Sequence, residues 1–282
     1  MPRVAVVVPC FNDGETLPET LASLESEEMH QLVVVDDGSD DPATLETLAQ
    51  LQANGTRVVR RENGGLSTAR MTGVDSTSAP YVFPLDADDA VVPGALAALA
   101  DALDAEPRAA LAWGEIEVWG ELEAELEVAR SLDPWLLTYL NDVPVASLIR
   151  RTALEDAGGW SMGSGYEDWD LWLALVERGY TGVHVARPTL RYRRRSGRML
   201  DDCTPEHGTL YAKLRSRHPG LFAARRANLR RSTAPLRAKL AFPVLEALPL
   251  DPFTRHRVYL FLNRPRQTVS FRRLRRATAA AR

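Results

Sequence analysis

Four short stretches concentrate the side chains that could do chemistry. Pro9-Cys10-Phe11-Asn12-Asp13, Asp36-Asp37-Gly38-Ser39-Asp40-Asp41 and Asp86-Ala87-Asp88-Asp89 each follow an apolar run, and Glu167-Asp168-Trp169-Asp170 lies further along. Each cluster alone reads as a turn or a helix cap, because Asp, Asn and Gly bond nearby backbone in such places. Acids in the first turn of a helix also suit its dipole, the ordinary reading of Glu167, Asp168 and Asp170. Three acidic clusters at one edge of a sheet are different. Carboxylates in that number repel one another, and a bound cation is the simplest remedy.

The elements around these stretches put them at such an edge. Residues 4–8, 32–35, 56–61, 81–85 and 109–118 read as buried, β-branched strands. Residues 15–25, 42–53, 66–74 and 93–105 show helical apolar spacing between them. Strands alternating with helices of this length predict a mostly parallel α/β sheet covered on both faces. Ligands of such sheets bind beyond the carboxyl ends of the strands, where the clusters fall. Residues 121–129 read as a weak helix, 144–150 as a strand and 151–157 as a helix stopped by Gly158-Gly159. A helix opens at Glu167 and runs to about residue 178, strands follow at 182–186 and 190–193, and residues 205–282 read as helices.

Five stretches, in order, resemble family 2 glycosyltransferases: Val6-Val7-Val8-Pro9-Cys10-Phe11-Asn12-Asp13, Val34-Val35-Asp36-Asp37-Gly38-Ser39, Asn63-Gly64-Gly65-Leu66-Ser67-Thr68-Ala69-Arg70, Leu85-Asp86-Ala87-Asp88-Asp89 and Tyr166-Glu167-Asp168-Trp169-Asp170-Leu171. The resemblance covers roughly residues 3–200. It implies a GT-A fold and an inverting transfer of sugar from a nucleoside-diphosphate donor, a UDP-sugar by preference, to an acceptor hydroxyl. By that resemblance Asp88, with Asp86, holds Mn²⁺ or Mg²⁺, which take oxygen ligands and usually only one or two carboxylates plus substrate phosphate. Asp37 or Asp36 accepts a hydrogen bond from the nucleobase, and Pro9, Phe11, Asn12, Arg70 and Asp86 complete the nucleotide pocket. Asp168 is expected as the general base, with Glu167 as the second candidate or an acceptor ligand. Trp169 is expected against the acceptor.

Two departures from the family pattern matter. Where many relatives carry a metal-binding histidine, the stretch Tyr192-Arg193-Arg194-Arg195-Ser196 has Arg195, which can clamp a diphosphate but cannot bind a cation. The Gln-x-x-Arg-Trp signature of processive synthases is absent, so one sugar per encounter is expected.

Charge is unevenly spread. Residues 221–282 carry 15 Lys and Arg against Glu246 and Asp251, about +13, while the whole chain is −4. Two units are therefore expected: a transferase domain over 1–203 and a basic, mainly helical extension over 204–282. Arginines beside apolar stretches such as 258–262 suit the headgroup boundary of an anionic membrane. No stretch of about 18 apolar residues exists. Two distant cysteines and no apolar leader give the expectation of a cytoplasmic protein, with peripheral contact at the inner face of a membrane. The expected acceptor is a glycan or a lipid-linked molecule of the cell envelope. No aromatic-interleaved basic motif supports nucleic-acid binding. The alternatives are a non-catalytic nucleotide-sugar-binding protein and a sugar-phosphate nucleotidyltransferase; the latter usually shows a Gly-rich N-terminal loop, missing here.

Overall fold

The computed structural model describes residues 2–120, 123–163, 165–194 and 206–265. One mixed sheet organises the body, in the order β3-β2-β1-β4-β8-β6-β9-β5, with β7 paired to β6. Strand β1, Val4–Cys10, is buried at every position. Its run of valines therefore meets apolar neighbours on both faces, as a central parallel strand requires. β2, His30–Asp36, and β4, Tyr81–Pro84, flank it in parallel, and β3, Val58–Arg60, extends the parallel set. The crossovers are α1, Leu17–Ala22, α2, Pro42–Ala53, and α3, Leu66–Asp75. β1, β2 and β3 end together, Cys10 beside Asp36 and Asp36 beside Arg60, and β4 ends earlier, with Pro84 beside Val7.

Beyond β4 the sheet changes direction. β8, Leu148–Arg150, is antiparallel to β4 and to β6, Ala109–Gly120, whereas β9, Thr181–Arg194, runs parallel to β6. β9 is one bulged strand where two were expected. A two-residue strand that the sequence did not announce, β5, Ala90–Val91, pairs with β9 directly after the Asp86–Asp89 turn. Residues 121–129, expected as helix, instead contain β7, Ala124–Leu126, antiparallel to β6. The reason is visible in Glu121-Leu-Glu-Ala-Glu-Leu-Glu127, where acids alternate strictly with apolar residues. Individual propensities there favour helix, but the period is two.

The core has two layers on the sheet and a third cluster at one end. One layer packs α1 and α4, Ala95–Ala105, on the sheet through Leu17, Leu96 and Leu99. The opposite layer holds α3, α5, Arg151–Asp156, and α6, Glu167–Glu177, with Trp113, Trp169 and Trp172. Five C-terminal helices are described: α7, His207–Arg217, α8, Pro219–Ala223, α9, Arg225–Leu229, α10, Leu236–Ala247, and α11, Pro252–Asn263. Ala238, Phe242 and Tyr259 cover Trp135 and Tyr139 as the third cluster. Polar clasps accompany it. Asp133 accepts from Ser232 and Thr233, Arg264 pairs with Asp142, and Asp170 receives Arg217 and His218.

Gly73 sets how closely α3, which carries Arg70, approaches the sheet. A Cβ at this position would lie 2.2 Å from Val7 Cγ1, inside the core. Alanine gains at most about 1 kcal/mol of helix propensity, whereas overpacking costs about 1–3 kcal/mol. Gly73→Ala is therefore expected to lower stability, and urea unfolding should show a lower midpoint. A raised midpoint would mean that Val7 yields freely.

Candidate active site

The carboxyl edge of β1, β2 and β4 gathers the loops singled out by sequence. Asn12, at a left-handed φ of 54°, ties the first two together. Its side-chain oxygen accepts from the backbone N–H groups of Asp40 and Asp41, each at 3.0 Å, and its amide donates to Asp40 at 2.7 Å. Asp36 is buried and accepts from Ser39 N at 2.8 Å. Asp37 is buried and accepts from Gly64 N at 3.1 Å, from Gly65 N at 2.8 Å and from Arg61. The second acidic loop thereby fixes the glycine turn that starts α3. Pro9 is buried within β1, and Phe11 is exposed beside these loops.

The Asp86–Asp89 turn is held from both sides. Ala87 O accepts from Thr16 Oγ1 at 3.0 Å and Thr20 Oγ1 at 2.8 Å on the α1 side. From β9, Arg193 donates its backbone N–H to Asp89 Oδ1 and its Nε–H to Asp88 O, both at 2.9 Å. The Arg193 guanidinium also pairs with Glu19 and lies 3.8 Å over the Trp119 ring. Asp88 and Asp89 are buried, and the Asp86 side chain is partly open.

Arg70 joins this edge to α6. It is 1% exposed, with Nη2 3.0 Å from Asp86 Oδ1 and Nη1 3.0 Å from Glu167 Oε1. Burial opposes its charge, but attraction to Asp86 and then Glu167 outweighs that and pushes its pKa up. Its remaining Nε–H has no partner among the described residues, and its guanidinium stands 5.7 Å from the Trp160 ring. Sequence reading expected Arg70 at the nucleotide; the structure shows a guanidinium that neutralises two site acids.

Asp168 sits beside this triad in the first turn of α6. That helix starts abruptly, with Gly165 and Tyr166 both left-handed, φ 87° and 62°. A tyrosine there is strained, and its surroundings hold it. Tyr166 Oη shares a hydrogen bond with His207 Nδ1 at 2.8 Å, and its ring is 5.1 Å from that of Trp169. Glu167 turns inward to Arg70, whereas half-buried Asp168 accepts from Asn141 Nδ2 at 3.0 Å. Burial, and secondarily the Glu167 charge, push the Asp168 carboxyl up to about 7; Arg70 only partly offsets them. A carboxylate poised near neutrality can accept a proton from a hydroxyl.

Two expectations change or fall outside. Trp169, expected against the acceptor, is 2% exposed and donates its indole N–H to Leu137 O at 2.7 Å. Its ring packs under Tyr166 and Tyr211, so it supports the site from the core and offers a ligand no face. Arg195 lies outside the described residues, as does Cys203. Cys10 is buried, and desolvation pushes its thiol up to about 11, which leaves it inert. Asn141, Arg193 and Tyr166 are positioning residues that sequence reasoning missed. Only Tyr166 had a local signal, its place between Gly165 and Glu167.

The chain belongs to glycosyl transferase family 2, whose family model matches residues 5–156. An uncharacterized glycosyltransferase of Mycobacterium bovis is 30% identical over 208 residues, covering 69% of this chain and 87% of that protein. The poly(ribitol-phosphate) beta-N-acetylglucosaminyltransferase TarP of Staphylococcus aureus is 35% identical over 95 residues, 32% of this chain and 29% of TarP. An uncharacterized protein of Sinorhizobium fredii is 27% identical over 63% of this chain, and the match spans 20% of that protein. The fold is similar to that of S. aureus TarS 1-349 in its complex with UDP-GlcNAc, with a TM-score of 0.58 and 16% identity. That match covers 90% of this chain and 69% of the TarS chain. The mixed α/β body is thus of the GT-A type, with a helical C-terminal region.

Arg70 gives the site its first test. Removing one partner of a buried ion cluster leaves uncompensated charge, at a cost of about 3–5 kcal/mol. Arg70→Met is expected to lose roughly that much in urea unfolding, and Arg70→Lys less, because it keeps the charge without the two-pronged geometry. Unchanged stability in Arg70→Met would show the triad to be dispensable.

Proposed function

We propose that this chain moves one sugar from a nucleoside-diphosphate donor, a UDP-sugar, to an acceptor hydroxyl with inversion at the anomeric carbon. The acceptor we infer is a cell-envelope glycan or a lipid-linked saccharide. Asp168 carries the reading: a half-buried carboxyl pushed up to about 7, joined through the Arg70–Glu167 pair to the Asp86–Asp89 turn. The similar TarS structure is a complex with UDP-GlcNAc, which supports the choice of donor. The names of TarP and of an undecaprenyl-phosphate 4-deoxy-4-formamido-L-arabinose transferase of Proteus mirabilis, 33% identical over 94 residues, support the choice of acceptor. Residues 1–203 would form the transferase domain and 204–282 its extension.

In the proposed reaction Asp168 takes the proton of the acceptor hydroxyl while that oxygen bonds to the anomeric carbon. The bond from that carbon to the diphosphate oxygen breaks with its electron pair, and the nucleoside diphosphate leaves. Attack opposite the leaving group inverts the configuration. Arg70 holds Glu167 turned inward, which leaves Asp168 as the open base. Asp36, Asp37 and Asn12 shape the pocket for the base by locking the two loops beside Phe11, and the charge of Arg195 would offset that of the diphosphate.

The donor set also fits a divalent cation. Among the described residues no group of three or more His, Cys, Asp or Glu forms a metal cluster by itself. Mg²⁺ and Mn²⁺ need only one or two carboxylates when substrate phosphate completes the shell. Asp88 and Asp86 would hold such an ion, whose chemistry is to offset charge developing on the departing diphosphate.

Asp168→Asn keeps size and removes basicity, so turnover is expected to fall about 10²–10⁴-fold with donor affinity nearly intact. Since the ionised form is the active one, wild-type kcat/KM should rise with pH through about 7 and level off above it. Transfer by Asp168→Asn at the wild-type rate would remove it as the base. For Asp88→Ala, calorimetry should show that nucleoside-diphosphate affinity no longer responds to Mn²⁺. A preserved response would place the cation elsewhere.

A further inference from the structure

Helix α10 is apolar on two opposite sides. Ala238 and Phe242, with Leu245, pack on Trp135 and Tyr139. On the other side Leu236, Leu240 and Val244 are 71%, 66% and 61% exposed, and Leu248, just past the helix, is exposed too. Four-residue spacing sets these side chains in one row along the helix. An apolar helix side is ordinarily covered, whereas here only one of the two is. On α11, Tyr259 turns into the core, but Leu260 and Phe261 are exposed. Single exposed leucines are common on protein surfaces; an aligned row marks an interaction surface.

The charge around the row says what kind of surface it fits. Between His218 and Leu245 there is no acid, and that interval holds Arg225, Arg226, Arg230, Arg231, Arg237 and Lys239. Arg225 is committed to Glu246 and Thr138 inside the fold, and Lys239 donates to Ser232 O. Arg226, Arg230 and Arg231 are exposed, whereas Arg237, exposed as well, donates to Leu262 O and Asn263 O on α11. A second copy meeting this face would bring two such arginine groups together, which is repulsive. An aliphatic row flanked by cations instead matches a bilayer whose headgroups carry negative charge. Among the described residues no helix is long and apolar enough to cross a membrane, so the contact is interfacial.

We propose that α10 docks the protein on an anionic lipid bilayer, with Leu236, Leu240 and Val244 in the headgroup boundary and the arginines on lipid phosphates. The inference stands independently of the catalytic reading. The test is co-sedimentation of the full chain with vesicles of phosphatidylglycerol and phosphatidylcholine, against vesicles of phosphatidylcholine alone. Binding is expected on the anionic vesicles only and should weaken as salt rises. The triple variant Leu236→Gln, Leu240→Gln, Val244→Gln should lower partitioning about tenfold or more, with an unchanged circular dichroism spectrum and thermal midpoint. Arg230→Gln with Arg231→Gln, which leaves the apolar row intact, should weaken binding and flatten its salt dependence. Absence of wild-type binding to anionic vesicles, or full binding by both variants, would overturn the proposal. So would a wild-type dimer in sedimentation equilibrium that the triple variant dissociates, since a second copy would then own the face.

Discussion

One guanidinium, that of Arg70, is the constraint on which the site depends. It reaches the Asp86–Asp89 turn on one side and the start of α6 on the other, with both acids 3.0 Å away. Without a buried cation, Asp86, Glu167 and Asp168 could not share so small a space as anions, because interior charges are tolerated only when paired. One positive charge cannot neutralise all three. Asp86 and Glu167 take the contacts, and Asp168 is left with a proton affinity near neutrality. The same arrangement that stabilises the edge of the sheet thereby leaves a carboxyl that can take up a proton near neutral pH.

The fold is built to bring that guanidinium into place. Gly73 lets α3 lie against β1, Asp37 pins the glycine turn that opens α3, and both fix where Arg70 emerges. At the other end Tyr166, held by His207, forces the helix start that turns Glu167 inward and leaves Asp168 open. His207 belongs to α7, so the C-terminal helices help to shape the site. His207 and His256 lie with rings 4.4 Å apart, and burial lowers their pKa values to about 4 and about 3. Two neutral imidazoles can stack there; two charged ones would push α7 and α11 apart.

Much of the body was legible in the sequence because its signals are local. A valine run buried on both faces, Pro42 after an Asp41 cap, and acids clustered after β1, β2 and β4 all state their structure within a few residues. The misreadings have different causes. At 121–129, helix-forming residue types masked a period of two. Trp169 was expected against the acceptor by resemblance, yet its environment is set by Leu137 and Tyr211 from other segments. Arg70 was visible as a site residue, but its two partners, Asp86 and Glu167, are brought together only by the crossover of α3 and the return of α6. Asn141 stands in no motif, and the stretch that holds Arg193 was read for Arg195; each acts across more than 25 residues of chain.

The most direct measurement of this account is the titration of Asp168 itself, followed by carboxyl ¹³C resonance in wild type and in Glu167→Gln. The account predicts a midpoint near 7 in wild type, because burial and the neighbouring Glu167 charge both disfavour the anion. It predicts a lower midpoint in Glu167→Gln, where Arg70 acts on Asp168 with one competing acid fewer. A wild-type midpoint in the ordinary carboxylate range near 4, unmoved by the substitution, would contradict it.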